Sequence, residues 1–306
     1  MDHLILMSCL ERKLFETSVR ISSHSLSLAG RCYYLYSKSP DMVGQIMIAK
    51  NGRSLLVAIC ITFISLQNFA QESAGWQLEQ MPDSLEFQYA LSSLPPHLRE
   101  NATVYLLDPK KGYYVARKGT NGFCAYVNRT EWERGEFVQD IYAPLGFDSL
   151  GSKTLLPIFL EVGNMRASGK YSPQQLQDIV VQRVKDGTYK APPRAGICYM
   201  LSPLFRTRTD QGIVSIVMPH YMIYAPFTED SDIGGGWVTG GHQPFVASTG
   251  PVLDKAHSIF NYIIIAAGET EKAKIIEENK DLLEKLGAYK SFLKAETSTA
   301  EHHHNN

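Results

Sequence analysis

The chain is poor in the patterns that announce chemistry. Five cysteines and nine histidines are spread over 306 residues. Ahead of the C-terminal tail, no two histidines have the H-x-x-x-H spacing that sets two metal ligands on one helix face. There is no G-x-S-x-G turn to present a nucleophilic serine. The glycine-rich stretch Ile233–His242 lacks the Lys-Ser/Thr end of a phosphate-binding loop, which excludes that mode of nucleotide binding. No apolar run approaches the roughly 20 residues that a membrane-spanning helix needs. The net charge is −1, without the clustered cations that phosphate backbones attract, so no nucleic-acid partner is expected. No internal repeat is present. Neither a cofactor nor a metal is expected.

What is present begins with Leu55–Leu66, LLVAICITFISL. Lys50 and Arg53 precede it, and Ala70 follows Gln67-Asn68-Phe69. A basic segment, a short apolar segment and a small residue at the cut form the grammar of a secretory signal peptide. Its opening at Met47 makes residues 1–46 a non-native or disordered extension and residues 47–70 the signal. Cleavage after Ala70 leaves a soluble exported protein, periplasmic or extracellular, with no stable membrane span. A cytoplasmic extension with a membrane anchor is the rival reading, but the run is too short for one. The first 70 residues hold seven Lys/Arg and four Asp/Glu, so the 30 basic and 31 acidic residues become 23 and 27, a net charge of −4. Cys9, Cys32 and Cys60 leave with them. Cys124 and Cys198 remain, and they either pair in an oxidising compartment or serve as two small buried apolar residues.

The remaining pattern is that of an α+β fold. Residues 71–82 are a polar, flexible lead-in. A short helix at Ser84–Leu94 stops at Pro95-Pro96. Alternation marks strands at Thr103–Leu107, Tyr113–Arg117 and Phe123–Val127. With turns at Lys111-Gly112 and Asn121-Gly122, they predict a three-stranded antiparallel meander. Thr154–Ala167 and a helix capped by Ser172, with Pro173 first and Gln175 third, are expected to pack on one face of the sheet. Gly187 ends the second. Ile197–Leu201, Ile213–Met218, Tyr221–Ala225, Pro244–Ala247 and Tyr262–Ala266 read as further strands. A single α+β domain over residues 83–268 therefore carries an antiparallel sheet. A C-terminal helix over 269–295 shows a stripe of Ile275, Leu282, Leu286, Tyr289 and Leu293 that suits a packing seam. Residues 296–306 form a disordered tail.

Candidate chemistry gathers near His220. Alternation puts His220, Met222 and Tyr224 on one face of their strand and Tyr221 and Ile223 on the other. His220 is a candidate base or ligand and Tyr224 a candidate donor to an anion. Arg206, Asp232 and His242 complete the set, Asp232 and His242 from the glycine-rich loop. The competing reading is a strand end with a hydrogen-bonded histidine and core aromatics. A metal site from His220, His242 and Asp232 or Glu161 requires tertiary convergence. Asn101-Ala102-Thr103 and Asn128-Arg129-Thr130 match the glycosylation pattern, which is short enough to arise by chance.

Gly119-Thr120-Asn121-Gly122-Phe123, Tyr199-Met200-Leu201-Ser202-Pro203 and His220-Tyr221-Met222-Ile223-Tyr224-Ala225-Pro226 together resemble an uncharacterised group of secreted bacterial proteins, over residues 90–265. The resemblance implies a bacterial, exported protein and brings no activity and no catalytic residues. Two functions follow as expectations: a non-catalytic envelope domain that binds a small molecule or a protein, or a hydrolase-like enzyme with a pocket around His220. Whether the chain is an enzyme stays open at this point.

Overall fold

Eight strands form one sheet in the order β2-β1-β3-β4-β5-β8-β10-β9. This computed structural model describes residues 78–133, 136–209, 212–234, 243–248 and 258–294. The apolar run Leu55–Leu66, His242, most of the glycine-rich loop and the tail lie outside the described residues. The described residues fall in one unit.

Helices α1 (Asp83–Ser92) and α2 (Pro96–Arg99) lead into β1 (Thr103–Asp108) and β2 (Gly112–Arg117). Then come β3 (Cys124–Asn128), β4 (Ala143–Phe147), α3 (Gly151–Thr154), α4 (Leu156–Ala167) and α5 (Pro173–Lys185). The second half holds β5 (Ile197–Met200), β6 (Phe205–Thr209), β7 (Gly212–Ile216), β8 (His220–Tyr224), β9 (Phe245–Ser248) and β10 (Asn261–Ala266). Helices α6 (Glu269–Glu278) and α7 (Lys280–Tyr289) close the chain, followed by a 3-10 turn at Ser291–Leu293. The sheet is largely antiparallel, as expected, with one exception. β3 pairs parallel to β1 rather than antiparallel to β2, so the first three strands are not a meander. Asn121 does not make a hairpin turn. Its side chain accepts from Phe123 N and donates to Leu98 O, which steers the chain across the start of β1.

β4 and β6 carry no sequence expectation. β4 reads Ala-Pro-Leu-Gly-Phe, and proline lacks the N–H that a central strand uses. Tyr142 exchanges both backbone bonds with Arg206 of β6, and β5 reaches back only to Gly146. Pro144 faces the gap between them, where no donor is needed. Gly146 is set by packing: a Cβ there would stand 2.4 Å from Leu94 Cδ2.

Each face of the sheet buries a core. Phe147, Phe159, Val162, Leu176, Val180, Met222, Tyr224 and Tyr262 fill the side under α4 and α5. Helix α5 begins as its sequence requires, with Ser172 Oγ accepting from Gln175 N and the Gln175 side chain returning to Ser172 N. A cap of this kind contributes about 1 kcal/mol. The opposite side holds Met81, Leu85, Tyr89, Leu106, Val127, Leu282, Leu286 and Leu293 under α1 and α7. Residues 78–82, expected as a loose lead-in, are anchored: Met81 is buried and Tyr289 donates to Gln80 O. From Leu282 onward the C-terminal stripe packs its apolar side chains into the core it shares with α1 of its own chain. It is also not one helix. Asn279 breaks it, turning its side-chain amide onto Ile275 O at 2.7 Å.

Candidate functional site

His220 opens β8 and is 4% exposed. Its Nδ1 lies 2.7 Å from Met218 O, and its ring meets Phe205 edge-on with centroids 5.6 Å apart. Burial pushes its pKa down, which favours the neutral ring, with the Met218 bond opposing that in part. Arg206 follows Phe205 in β6 and so points to the opposite side. There it covers the Phe292 ring at 4.4 Å and donates to Ser215 Oγ. Asp232 accepts from Glu229 N in a 3-10 turn. His242 lies outside the described residues. His220 therefore makes no hydrogen bond with Arg206, Asp232 or Tyr224 among the described residues. No group of three or more His, Cys, Asp or Glu is placed to hold a metal ion there either.

Tyr224 belongs to a different cluster. Its hydroxyl shares its one proton between Asp148 Oδ1 at 3.0 Å and Ile197 O at 2.8 Å. Asp148 also accepts from Leu150 N, Gly151 N and Ile197 N. Burial, ahead of neighbouring charge, pushes the Tyr224 pKa up. Three of these donors meet Oδ1 and one meets Oδ2, and all belong to the fold, so the pair is a tie between β4, β5 and β8.

Cys124 and Cys198 are both free and buried. The disulfide does not form, for a reason of register. Cys124 sits opposite Phe147, and Phe147 sits opposite Cys198. Two strand spacings separate the thiols, roughly 10 Å, and a bridge needs Cα atoms within about 7 Å. Burial pushes both thiols up, most for Cys198.

Two features that sequence reasoning missed carry more. The first is a half-buried apolar patch on the α1 side of the sheet, which meets that side's core at Tyr199 and ends at the buried Val246. Strand pairing aligns Ile197, Ile223, Ile263 and Val246 in one row across β5, β8, β10 and β9. Tyr199, Tyr221 and Ile265 form a second row beside it. Ile197, Ile223, Ile263 and Ile265 belong to neither core. Ile265 is 41% exposed, whereas Ile264 on the other face is 4% exposed. Tyr199 and Tyr221 meet edge-on, and Tyr221 OH donates to the Glu271 carboxylate of α6.

The second is a seam in the sheet. β1 and β3 pair only at Thr103–Cys124 and Val104–Ala125. Beyond that, side chains take over the backbone groups. Leu107 N donates to Glu86 Oε1 of α1 at 3.3 Å. Tyr113 OH donates to Val127 O at 2.8 Å and accepts from Arg129 N at 3.1 Å. Glu86 and Arg129 are 0% and 3% exposed. Arg129 donates to Glu79 O and lies 4.4 Å over the Tyr142 ring. Glu86 Oε2 and Arg129 Nη1 have no partner among the described residues. On the other face, Arg166 donates to Arg129 O and Val138 O. Desolvation lowers its pKa to about 10.

No protein-family model, no curated protein and no solved structure matches the chain.

Proposed function

We propose that the chain is an exported, non-catalytic binding domain, and that the apolar patch on β5, β8 and β10 is its recognition surface. Export is supported by the signal grammar around Leu55–Leu66 and by the likeness of its motifs to secreted bacterial proteins. Binding is supported by one observation above all. The rows Ile197–Ile223–Ile263 and Tyr199–Tyr221–Ile265 lie in register on one sheet face, and all but Tyr199, which packs against the α1-side core, lie outside both cores. A contiguous apolar face of this kind marks an interaction site. A sheet face suits a protein partner, since small ligands prefer concave sites. The other sheet faces are covered by helices α1, α4, α5 and α7 through their apolar sides, so an amphipathic helix of the partner is the matching occupant. The surroundings of His220 favour the same reading, because a general base must reach the proton it removes, and this ring is buried on a backbone carbonyl.

The test uses bis-ANS as an apolar probe on the folded protein. Wild type is expected to bind the dye, and Ile223→Lys/Ile265→Lys to lose most of that fluorescence while its melting temperature stays within a few degrees. Equal dye binding by the double variant contradicts the surface. Hydrolase turnover that His220→Ala abolishes without loss of stability contradicts the non-catalytic reading.

A further inference from the structure

The sheet seam holds two opposite charges that do not close on each other. Glu86 gives one oxygen to Leu107 N, and its other oxygen has no partner; Arg129 gives one nitrogen to Glu79 O and Tyr142 OH, and Nη1 has none. No ion pair joins the two side chains among the described residues. The C-terminal end of α1 is fastened separately: Tyr89 OH donates to Leu204 O, Ser92 Oγ to Ser202 Oγ, and Leu201 N to Ser93 O. The N-terminal half is held by two polar contacts, Leu107 N to Glu86 and Tyr114 OH to Asp83, by Leu85 in the core beneath it, and by Arg117 of β2 over the Phe87 ring.

We propose that Glu86 is a proton-linked latch: neutral, it holds the first half of α1 across the open seam between β1 and β3, and ionised, it drives that half-helix to open. A buried carboxylate whose counter-charge is not in contact is costly, and exposure to water relieves it. The opened segment would bare the backbone groups of the seam and the Arg129 guanidinium.

The titratable and charged neighbours are few. Asp83 lies on α1 itself, Arg129 follows β3, and Tyr113 and Tyr114 come from β2. Tyr89 and Tyr142 are bonded beneath the helix. Tyr289 comes from α7, with the Glu79–Lys290 ion pair beside it. Burial pushes all five of these tyrosines up, away from neutral pH. Glu86 itself is raised from 4.5 to about 7, by burial first, with Arg129 opposing. Glu133 is raised to about 8 by desolvation, but its Oε2 accepts from Trp132 N in the loop after β3, and it has no bond to α1.

The sign follows from linkage. A carboxyl whose folded value lies above its open value holds its proton in the closed state. The latch is therefore complete below about pH 4.5 and is lost as pH rises through about 7. Opening grows up to tenfold per pH unit across that window, of the order of a hundredfold in all.

Amide hydrogen exchange on the full chain, corrected for intrinsic rates, tests this between pH 5 and pH 8. In wild type, Leu107 is expected to lose about a hundredfold in protection while Ile264 in β10 keeps its own. Glu86→Gln should flatten the Leu107 profile, because the amide keeps an acceptor for Leu107 and cannot ionise. Arg129→Met should move the midpoint upward. An unchanged profile in Glu86→Gln overturns the latch, as does a parallel loss at Leu107 and Ile264, which would signal global unfolding. Should either variant fail to fold, the carboxyl 13C titration of Glu86 in wild type decides. A midpoint near 7 supports the latch, and one near 4.5 overturns it.

Discussion

Asp148→Ala should lose about 3 kcal/mol of stability in urea denaturation, with the denaturant slope unchanged. The Asp148 carboxylate accepts from three backbone N–H groups, of Leu150, Gly151 and Ile197, and from the Tyr224 hydroxyl. Alanine leaves those donors without their acceptor, and each buried donor so stranded costs roughly 1–3 kcal/mol. The tie is half-buried, so water recovers part of the loss, and Tyr224 keeps its bond to Ile197 O. The remainder is a large share of a total that is typically about 5–15 kcal/mol. Asp148→Asn separates the causes. Its Oδ1 keeps the bonds from Leu150, Gly151 and Tyr224, but its amide turns a donor toward Ile197 N. An intermediate loss is expected. A loss below about 1 kcal/mol in Asp148→Ala would show that these bonds are not what joins β4, β5 and β8.

Gly119→Ala should be at least as damaging, and for a reason independent of backbone φ. A Cβ on Gly119 would stand 2.2 Å from Asn101 O, 2.3 Å from Ala102 C and 2.4 Å from Thr103 N. All three are backbone atoms, so no flexible side chain can move aside. The chain is tight here because it crosses over the start of β1 to reach the far side. Gly119 N donates to Thr103 Oγ1, and Thr120 N and Asn121 N both donate to Asn101 O. Overpacking against rigid neighbours costs about 1–3 kcal/mol or more. Because the crossing sets β3 parallel to β1, loss of helix and strand signal together is the expected outcome in circular dichroism. A folded Gly119→Ala of wild-type melting temperature would contradict the crossing.

The same crossing explains where the sequence was legible. Helices α1, α4 and α5 and most strands follow from spacing and caps, because Ser172-Pro173-x-Gln175 and the alternation of His220–Tyr224 act locally. The parallel pairing of β1 with β3 does not. Asn121-Gly122 is a good hairpin dipeptide, but six residues separate Arg117 from Cys124, enough to pass over β1. β4 was hidden because Pro144 and Gly146 are chosen by tertiary neighbours, a missing backbone partner and Leu94. The C-terminal stripe was legible as a seam, but its partner α1 and its break at Asn279 were not.

The site was less legible than the fold. Strand alternation gave the correct faces for His220, Met222 and Tyr224, yet it could not bring Arg206 or Asp232 to them. Glu86 had a weak signal: it lies on the buried side of α1 with Tyr89 and Ala90, three and four residues on. Arg129 had a clearer one, since it continues the inward positions Ala125 and Val127 of β3. The register that lines up Ile197, Ile223 and Ile263 depends on pairing between distant strands, which no local pattern encodes.

The proposed recognition surface rests on the exposure of one sheet face, and carbene footprinting of the native protein measures that exposure directly. Ile223, Ile263 and Ile265 are expected to be labelled well above Met222 and Ile264, their neighbours on the buried face. Equal protection of both faces would contradict the proposed surface.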